Sequence, residues 1–177
     1  MRANPLTDTV SPVAVADLQQ FLDVDSTDQL EDVLSVATDV VIRYLNRELL
    51  PRQWQLVINR KQEPLKVAYE RFPDRRFADV ELPYSYLISV DKVEVDGEEA
   101  DFDVDLLSTP GRIHVETIGE QLEVVYTAGS VVIPATIKTG IKMLAAFLYE
   151  HAGACDVTDA LKKSGAEAVL RPYRIEW

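Results

Sequence analysis

Asp101, Asp103 and Asp105 form the densest group of potential metal ligands in the chain. Carboxylates at alternate positions can open a calcium-binding loop, which needs glycine at its sixth position and a bidentate glutamate at its twelfth. Counted from Asp101, those positions hold Leu106 and Arg112, so three carboxylates on the solvent face of a strand is the better reading. His151 and Cys155 stand four apart and can share a helix face. Two ligands do not make a tetrahedral zinc site, and the chain has no second cysteine to complete one. His114 has no serine or cysteine nucleophile motif beside it. The phosphate-loop, dinucleotide-fold, nucleophile-elbow and H-E-x-x-H patterns are all missing from the sequence. The expectation is a protein that is not an enzyme, with no catalytic residues, no metal and no cofactor.

Two other groups are suited to contacts instead of chemistry. Arg71, Arg75 and Arg76 with Phe72 and Phe77 form a basic-aromatic patch, fit for a solvated loop or for a protein or nucleic-acid contact. The end of the chain gathers Arg171, Tyr173, Arg174 and Trp177, residue types favoured where interfaces concentrate their energy. That tail either folds back on its own core or meets a partner.

The composition narrows the field. Of 177 residues, 47% are hydrophobic and 27% charged, with a net charge of −12, which is ordinary for a globular protein. Such an acidic balance argues against a surface that grips nucleic acid, since gripping requires clustered lysine and arginine to displace counterions. It suits solubility, or a surface along which DNA must slide without sticking. No apolar run approaches the ~18 residues of a membrane span. The opening MRANPLTDTVSP has no apolar stretch like that of a signal peptide, so a cytoplasmic product is expected, in keeping with a lone Cys155 that cannot form an internal disulfide.

The elements that must position these residues follow from periodicity. Residues 1–12 read as a loose polar arm, and Val13 to Leu22 as a short helix with Ser11 as a cap. Ser26 with Gln29, or Asp28 with Glu31, fits a capping box ahead of a helix from Thr27 to Leu45, where Leu30, Val33, Leu34, Ala37, Val40, Val41, Tyr44 and Leu45 make one apolar stripe. From Arg52 the period changes to two, with Trp54, Leu56 and Ile58 on one side of a strand. Residues 60–77 read as an irregular connection. Short strands are expected at Val80–Leu82, Leu87–Val95, Phe102–Leu106, Arg112–Glu116 and Leu122–Tyr126, with Asp96-Gly97 as a hairpin turn. A helix follows from Pro134 to His151, with Ile137, Ile141, Leu144 and Leu148 on one stripe. Met143, Ala146 and Phe147 lie well off that stripe, so the helix is apolar around most of its girth and needs cover on two sides. A loop at 153–157 and a short helix at 166–170, stopped by Pro172, complete the chain. The fold class is therefore α+β: a small helical bundle from 1–51 and 131–177, with an inserted antiparallel β-domain, sandwich or barrel-like, at 52–130.

The order of the pieces carries more than any one of them. A short helix ends at FLDV (Phe21–Val24), and a D-x-L-x-x-x-L-x-x-A helix (Asp28–Ala37) runs into Y-L-N-R-x-L (Tyr44–Leu49). A strand with an early tryptophan follows, then P-G-R-I at 110–113 and V-x-Y-T-A-G at 124–129. P-x-x-I-K-x-x-I-x-x-L-x-A-x-L-Y-E at 134–150 and L-R-P-Y-R at 170–174 complete the series. This combination resembles the head–tail connector (adaptor) proteins of tailed bacteriophages, in a form with a β-insert, from Pro12 to Arg174. The resemblance implies a structural virion protein of the head–tail junction, made in the bacterial host cytoplasm. It implies a homo-oligomeric ring, of twelve copies, beneath the portal protein, extending a channel through which DNA passes without sequence-specific binding and docking the next neck or tail protein, with no membrane involved. Met143, Ala146 and Phe147 are then the expected subunit interface, and Arg171, Tyr173, Arg174 and Trp177 the expected partner contact. The alternative is another neck or tail-completion protein, or a β-domain that binds a protein partner.

Overall fold

The computed structural model describes residues 2–60, 76–84, 86–151 and 156–175. Arg71, Phe72, Arg75, Cys155 and Trp177, and most of the connection expected at 60–77, lie outside the described residues. The chain divides into two compact units, one built from the residues up to Asp8 with Pro51–Ser130, the other from Thr9–Leu50 with the chain from Val131 on. The backbone thus crosses from one unit to the other three times.

The first unit holds eight strands among the described residues: β1 (Arg2–Pro5), β2 (Arg52–Asn59), β3 (Arg76–Glu81), β4 (Leu87–Val95), β5 (Glu98–Glu99), β6 (Phe102–Asp105), β7 (Arg112–Ile118) and β8 (Gln121–Ala128). They form two antiparallel sheets, in the orders β1-β2-β8-β4-β5 and β3-β7-β6. Alternation drives both. Trp54, Leu56 and Ile58 of β2, Val93 and Val95 of β4, and Leu122, Val124 and Tyr126 of β8 turn to the same core as Phe77, Val80, Ile113 and Val115 of the smaller sheet, while the intervening residues stay outside. Tyr126 is fully buried and its hydroxyl donates to the Pro83 carbonyl at 2.7 Å. Trp54 stacks on Tyr84 at 4.4 Å. The Asp96-Gly97 turn has both residues at positive φ, 53° and 88°, as a two-residue hairpin of this twist requires. Gly111, in the P-G-R-I stretch, has no room for a side chain, because a Cβ there would lie 2.7 Å from that of Leu87.

Two features of this unit were not apparent from patterning. The residues read as a loose arm make β1, paired Ala3 to Leu56 and Pro5 to Trp54. The pairing is a backbone affair at a sheet edge, where proline at a strand end is tolerated, so composition carries no sign of it. Register shifts around Val90/Lys92 interrupt β4. Beside them the Asp91 carboxylate accepts hydrogen bonds from Gln53 Nε2 (3.0 Å), Ser89 Oγ (2.8 Å) and Thr127 Oγ1 (3.2 Å). These donors, Gln53 foremost, hold its pKa below the usual aspartate value.

The second unit is helical: α1 (Val15–Leu22), α2 (Leu30–Leu45), α3 (Ala135–Glu150), α4 (Val157–Lys163), α5 (Ala166–Leu170) and a 3₁₀ turn at Arg171–Tyr173. Leu18, Leu30, Leu34, Ala37, Val41, Leu45, Ile137, Ile141, Leu144, Ala145, Ala166 and Leu170 fill its core. The expected capping box does not form. The Ser26 hydroxyl accepts the amide of Asp28 at 3.1 Å, and Gln29 takes a left-handed φ of 66°, so α2 begins at Leu30. Nor was α4 expected, for its buried residues, Ala160 and Leu161, are adjacent and show no period. Its order agrees with Asp159 in the first turn and Lys162 and Lys163 in the last, each complementing the helix dipole.

Gly140 sits in the middle of α3, where glycine costs ~1 kcal/mol relative to alanine. The reason is close packing: a Cβ at this position would lie 2.7 Å from the buried side chain of Leu170 on α5. Gly140→Val is expected to destabilise the protein by about 1–3 kcal/mol through overpacking, read as a lowered midpoint in urea unfolding with an unchanged slope.

Candidate assembly surfaces

Helix α3 turns three faces in three directions. Ile137, Gly140, Ile141, Leu144 and Ala145 are buried. Met143 and Phe147 are half-buried, with the Met143 methyl about 3.3 Å from where a Cβ on Gly165 would stand and the Phe147 ring stacked on His151 at 4.2 Å. Ala146 is also half-buried. Part of the apolar surplus is therefore taken up inside the unit by the chain leading into α5 and by His151. The third face carries Lys138, Lys142 and Ala146 at four-residue spacing. Lys138 is exposed, and the Lys142 ammonium lies 5.2 Å over the ring of Phe21 on α1.

The tail is pinned to the end of α2. The Ile175 amide donates to the Leu45 carbonyl at 3.0 Å, Asn46 Nδ2 donates to the Ile175 carbonyl at 3.1 Å, and the Arg174 guanidinium lies 5.3 Å over the Tyr44 ring. Arg171 and Arg174 remain exposed and Tyr173 half-exposed. The segment is thus ordered by its own unit while still showing cationic and aromatic groups outward. Trp177 lies outside the described residues.

The aspartate triplet divides. Asp101 and Asp103 point to solvent, and Asp103 stands opposite His114 across β6 and β7, on the outer face of the smaller sheet. Phe102, Glu116 and Thr117 complete an open groove there. Asp105 is a structural staple. Its carboxylate accepts the amides of Leu107 (2.9 Å) and Ser108 (3.1 Å) and also the Ser108 hydroxyl. The Ser108 hydroxyl foremost, with these amides, holds the Asp105 carboxyl below its ordinary 3.8. A depressed folded pKa stabilises the turn above the unfolded value and releases it as the pH falls through the folded one. Asp105→Ala is therefore expected to leave global melting nearly unchanged at pH 7 and to speed hydrogen exchange at Leu107 and Ser108. Wild type should show the same loosening only below 3.8.

What this staple presents was missed by pattern reading. Leu107 at the β6–β7 tip is 97% exposed and Leu106 53%. An apolar pair at a turn shows no period, and only the hydrogen-bonded loop reveals where it stands. His151 Nδ1 lies 3.0 Å from the Phe147 carbonyl. Among the described residues no three histidine, cysteine, aspartate or glutamate side chains are placed to hold a metal ion, and no helix is long and apolar enough to cross a membrane.

No family model matches the sequence, and no curated protein matches it. Solved structures do match its fold. A chain in the neck of an empty GTA particle, computed with C6 symmetry, aligns over 100% of this chain and 97% of its own length at a TM-score of 0.72 with 18% identity. A chain in the neck of the native GTA particle, computed with C12 symmetry, gives 0.69 and 19% over the same spans. One in the virion of the native gene transfer agent particle gives 0.67 and 17%. Over its whole length, then, this chain has the fold of neck components of a phage-like particle, as its motif order leads one to expect.

Proposed function

We propose that this protein is a head–tail connector: a structural virion protein that closes into a ring beneath the portal, lengthens the DNA channel and docks the next neck or tail component. The observation that carries this reading is the end-to-end fold match to neck chains of particles computed with C6 and C12 symmetry. A ring of twelve copies is compatible with both symmetries. A ring requires two different adhesive sides on every subunit. Met143, Ala146 and Phe147 on α3 are the first side, half-buried in the single chain. Arg171, Tyr173 and Arg174, held at the end of α2, meet the neighbouring component. The acidic β-unit suits a passage for DNA, because like charge keeps a polyanion from settling on the wall. Catalysis has no place in this role.

The test is co-expression with the portal protein of the same genome, followed by electron microscopy. Twelve-fold rings seated on the portal are expected. A protein that stays monomeric both alone and with the portal sinks the proposal.

A further inference from the structure

The outer edge of β2 is covered by β1, a strand that the chain reaches only by way of the other unit. We infer that in the assembly this edge takes β1 of the neighbouring copy, so that each subunit gives Arg2–Pro5 to the next and receives the same strand from the one before. This deepens the ring reading and rests on it.

The edge demands an occupant. At the other side of the five-stranded sheet lies β5, only Glu98 and Glu99, with Glu99 standing opposite Glu94. So short and charged an edge repels a further strand. β2 has no such defence. Gln53 to Asn59 read QWQLVIN, without a charge, a proline or a glycine, which is the composition that stacks strand on strand when it is bared. β1 covers Trp54 to Val57, and the Leu6 amide carries the ladder on to the Gln53 carbonyl at 2.9 Å. Arg2 and Pro5 then blunt the outer side of β1 itself.

What holds β1 is present in every copy. Arg2, Asn4 and Pro5 are exposed and only Ala3 is half-buried against the core. The strand is therefore attached mainly by its backbone ladder, which the same residues of a second copy form equally well. So little apolar contact places it at the low end of local stability. Chain continuity does not tie it down either, since Thr9–Leu50 of the helical unit stand between β1 and β2. Arg52 Nε donates to the Thr7 carbonyl at 2.8 Å in one unit, and the Thr9 hydroxyl donates to Asp39 at 2.8 Å in the other. Asp8 alone joins these two anchors, and short hinges are where exchange between copies arises. Exchange of an identical element is a low-cost route to association. Because strand and edge are different surfaces, it runs head to tail from copy to copy, as a ring requires.

The test is a disulfide trap in the full-length chain. Asn4 stands opposite Gln55, away from the core, and Cα atoms of such an antiparallel pair lie about 5.5 Å apart, within reach of a disulfide. Asn4→Cys and Gln55→Cys are combined in a Cys155→Ser background, assembled with the portal protein, oxidised, and run on a denaturing gel beside sedimentation of the same sample. The double variant is expected to give a ladder extending past the dimer. A mixture of the two single variants should give dimers and nothing larger, which neither single variant gives alone. Rings in the centrifuge whose disulfides all close within single chains overturn the exchange and leave the ring reading standing. Neither rings nor ladder, with the portal present, overturns both.

Discussion

Phe147→Asp is expected to abolish ring assembly while the single chain stays folded. The ring of Phe147 is half-buried and stacked on His151 at an interplanar angle of 14°. Removing it forfeits partial burial and one aromatic contact. The new carboxylate also stands in the last turn of α3, where the dipole disfavours negative charge by about 0.3–1 kcal/mol. The monomer should lose about 1–2 kcal/mol, a few degrees in melting temperature for a chain of this size. At an interface the same change buries an unpaired charge where an anchor stood, and such positions cost about 2–4 kcal/mol each. In a closed ring that loss recurs at every junction, so the population of rings collapses. Melting by circular dichroism, set against ring yield by electron microscopy, separates the two effects. Equal loss in both would make Phe147 an ordinary core residue.

The largest effect on stability is expected from Tyr126→Ala. Tyr126 lies in the central strand of the larger sheet, opposite Trp54 on β2 and Val90 on β4. Truncation leaves a cavity the size of an aromatic ring where two sheets meet, at about 3–5 kcal/mol. Tyr126→Phe keeps the ring and removes the hydroxyl that bonds the Pro83 carbonyl, at about 1–3 kcal/mol if that carbonyl stays dry. Urea unfolding followed by tryptophan fluorescence should order the three proteins as wild type, Phe, Ala. Similar midpoints for the two variants would mean that the hydroxyl, not the ring, is what matters here.

These two residues also show what patterning can reach. Tyr126 sits in an alternating run, Leu122, Val124, Tyr126, whose period places it in the core without coordinates. The stripe of α2 and the Asp96-Gly97 turn are legible for the same reason, since local geometry and burial ask for the same residue types there. β1 was not legible, because its partners are backbone groups some fifty residues away. Helix α4 was not, because two buried residues show no period. For the candidate surfaces, α3's surplus of apolar residues could be read, whereas its sharing between the chain's own C-terminal segment and solvent could not. Asp105 looked like one of three equivalent carboxylates. Only the turn that follows sets it apart from Asp101 and Asp103.

The three crossings between the units impose an order on folding during synthesis. The β-unit is complete once Ser130 has been made, but α1 and α2 wait for α3 with Leu34, Ala37 and Val41 uncovered. Some ninety residues separate Leu45 from Ala135, which takes the ribosome about 5–20 s. Through that interval the nascent chain shows an apolar helical face that its own later residues must cover, and it is a natural client for a holding chaperone. The helical unit closes last, when Leu170 reaches Gly140 and Ile175 reaches Leu45. A chain that ends before Leu170 leaves the Gly140 side of α3 without the side chain that packs on it.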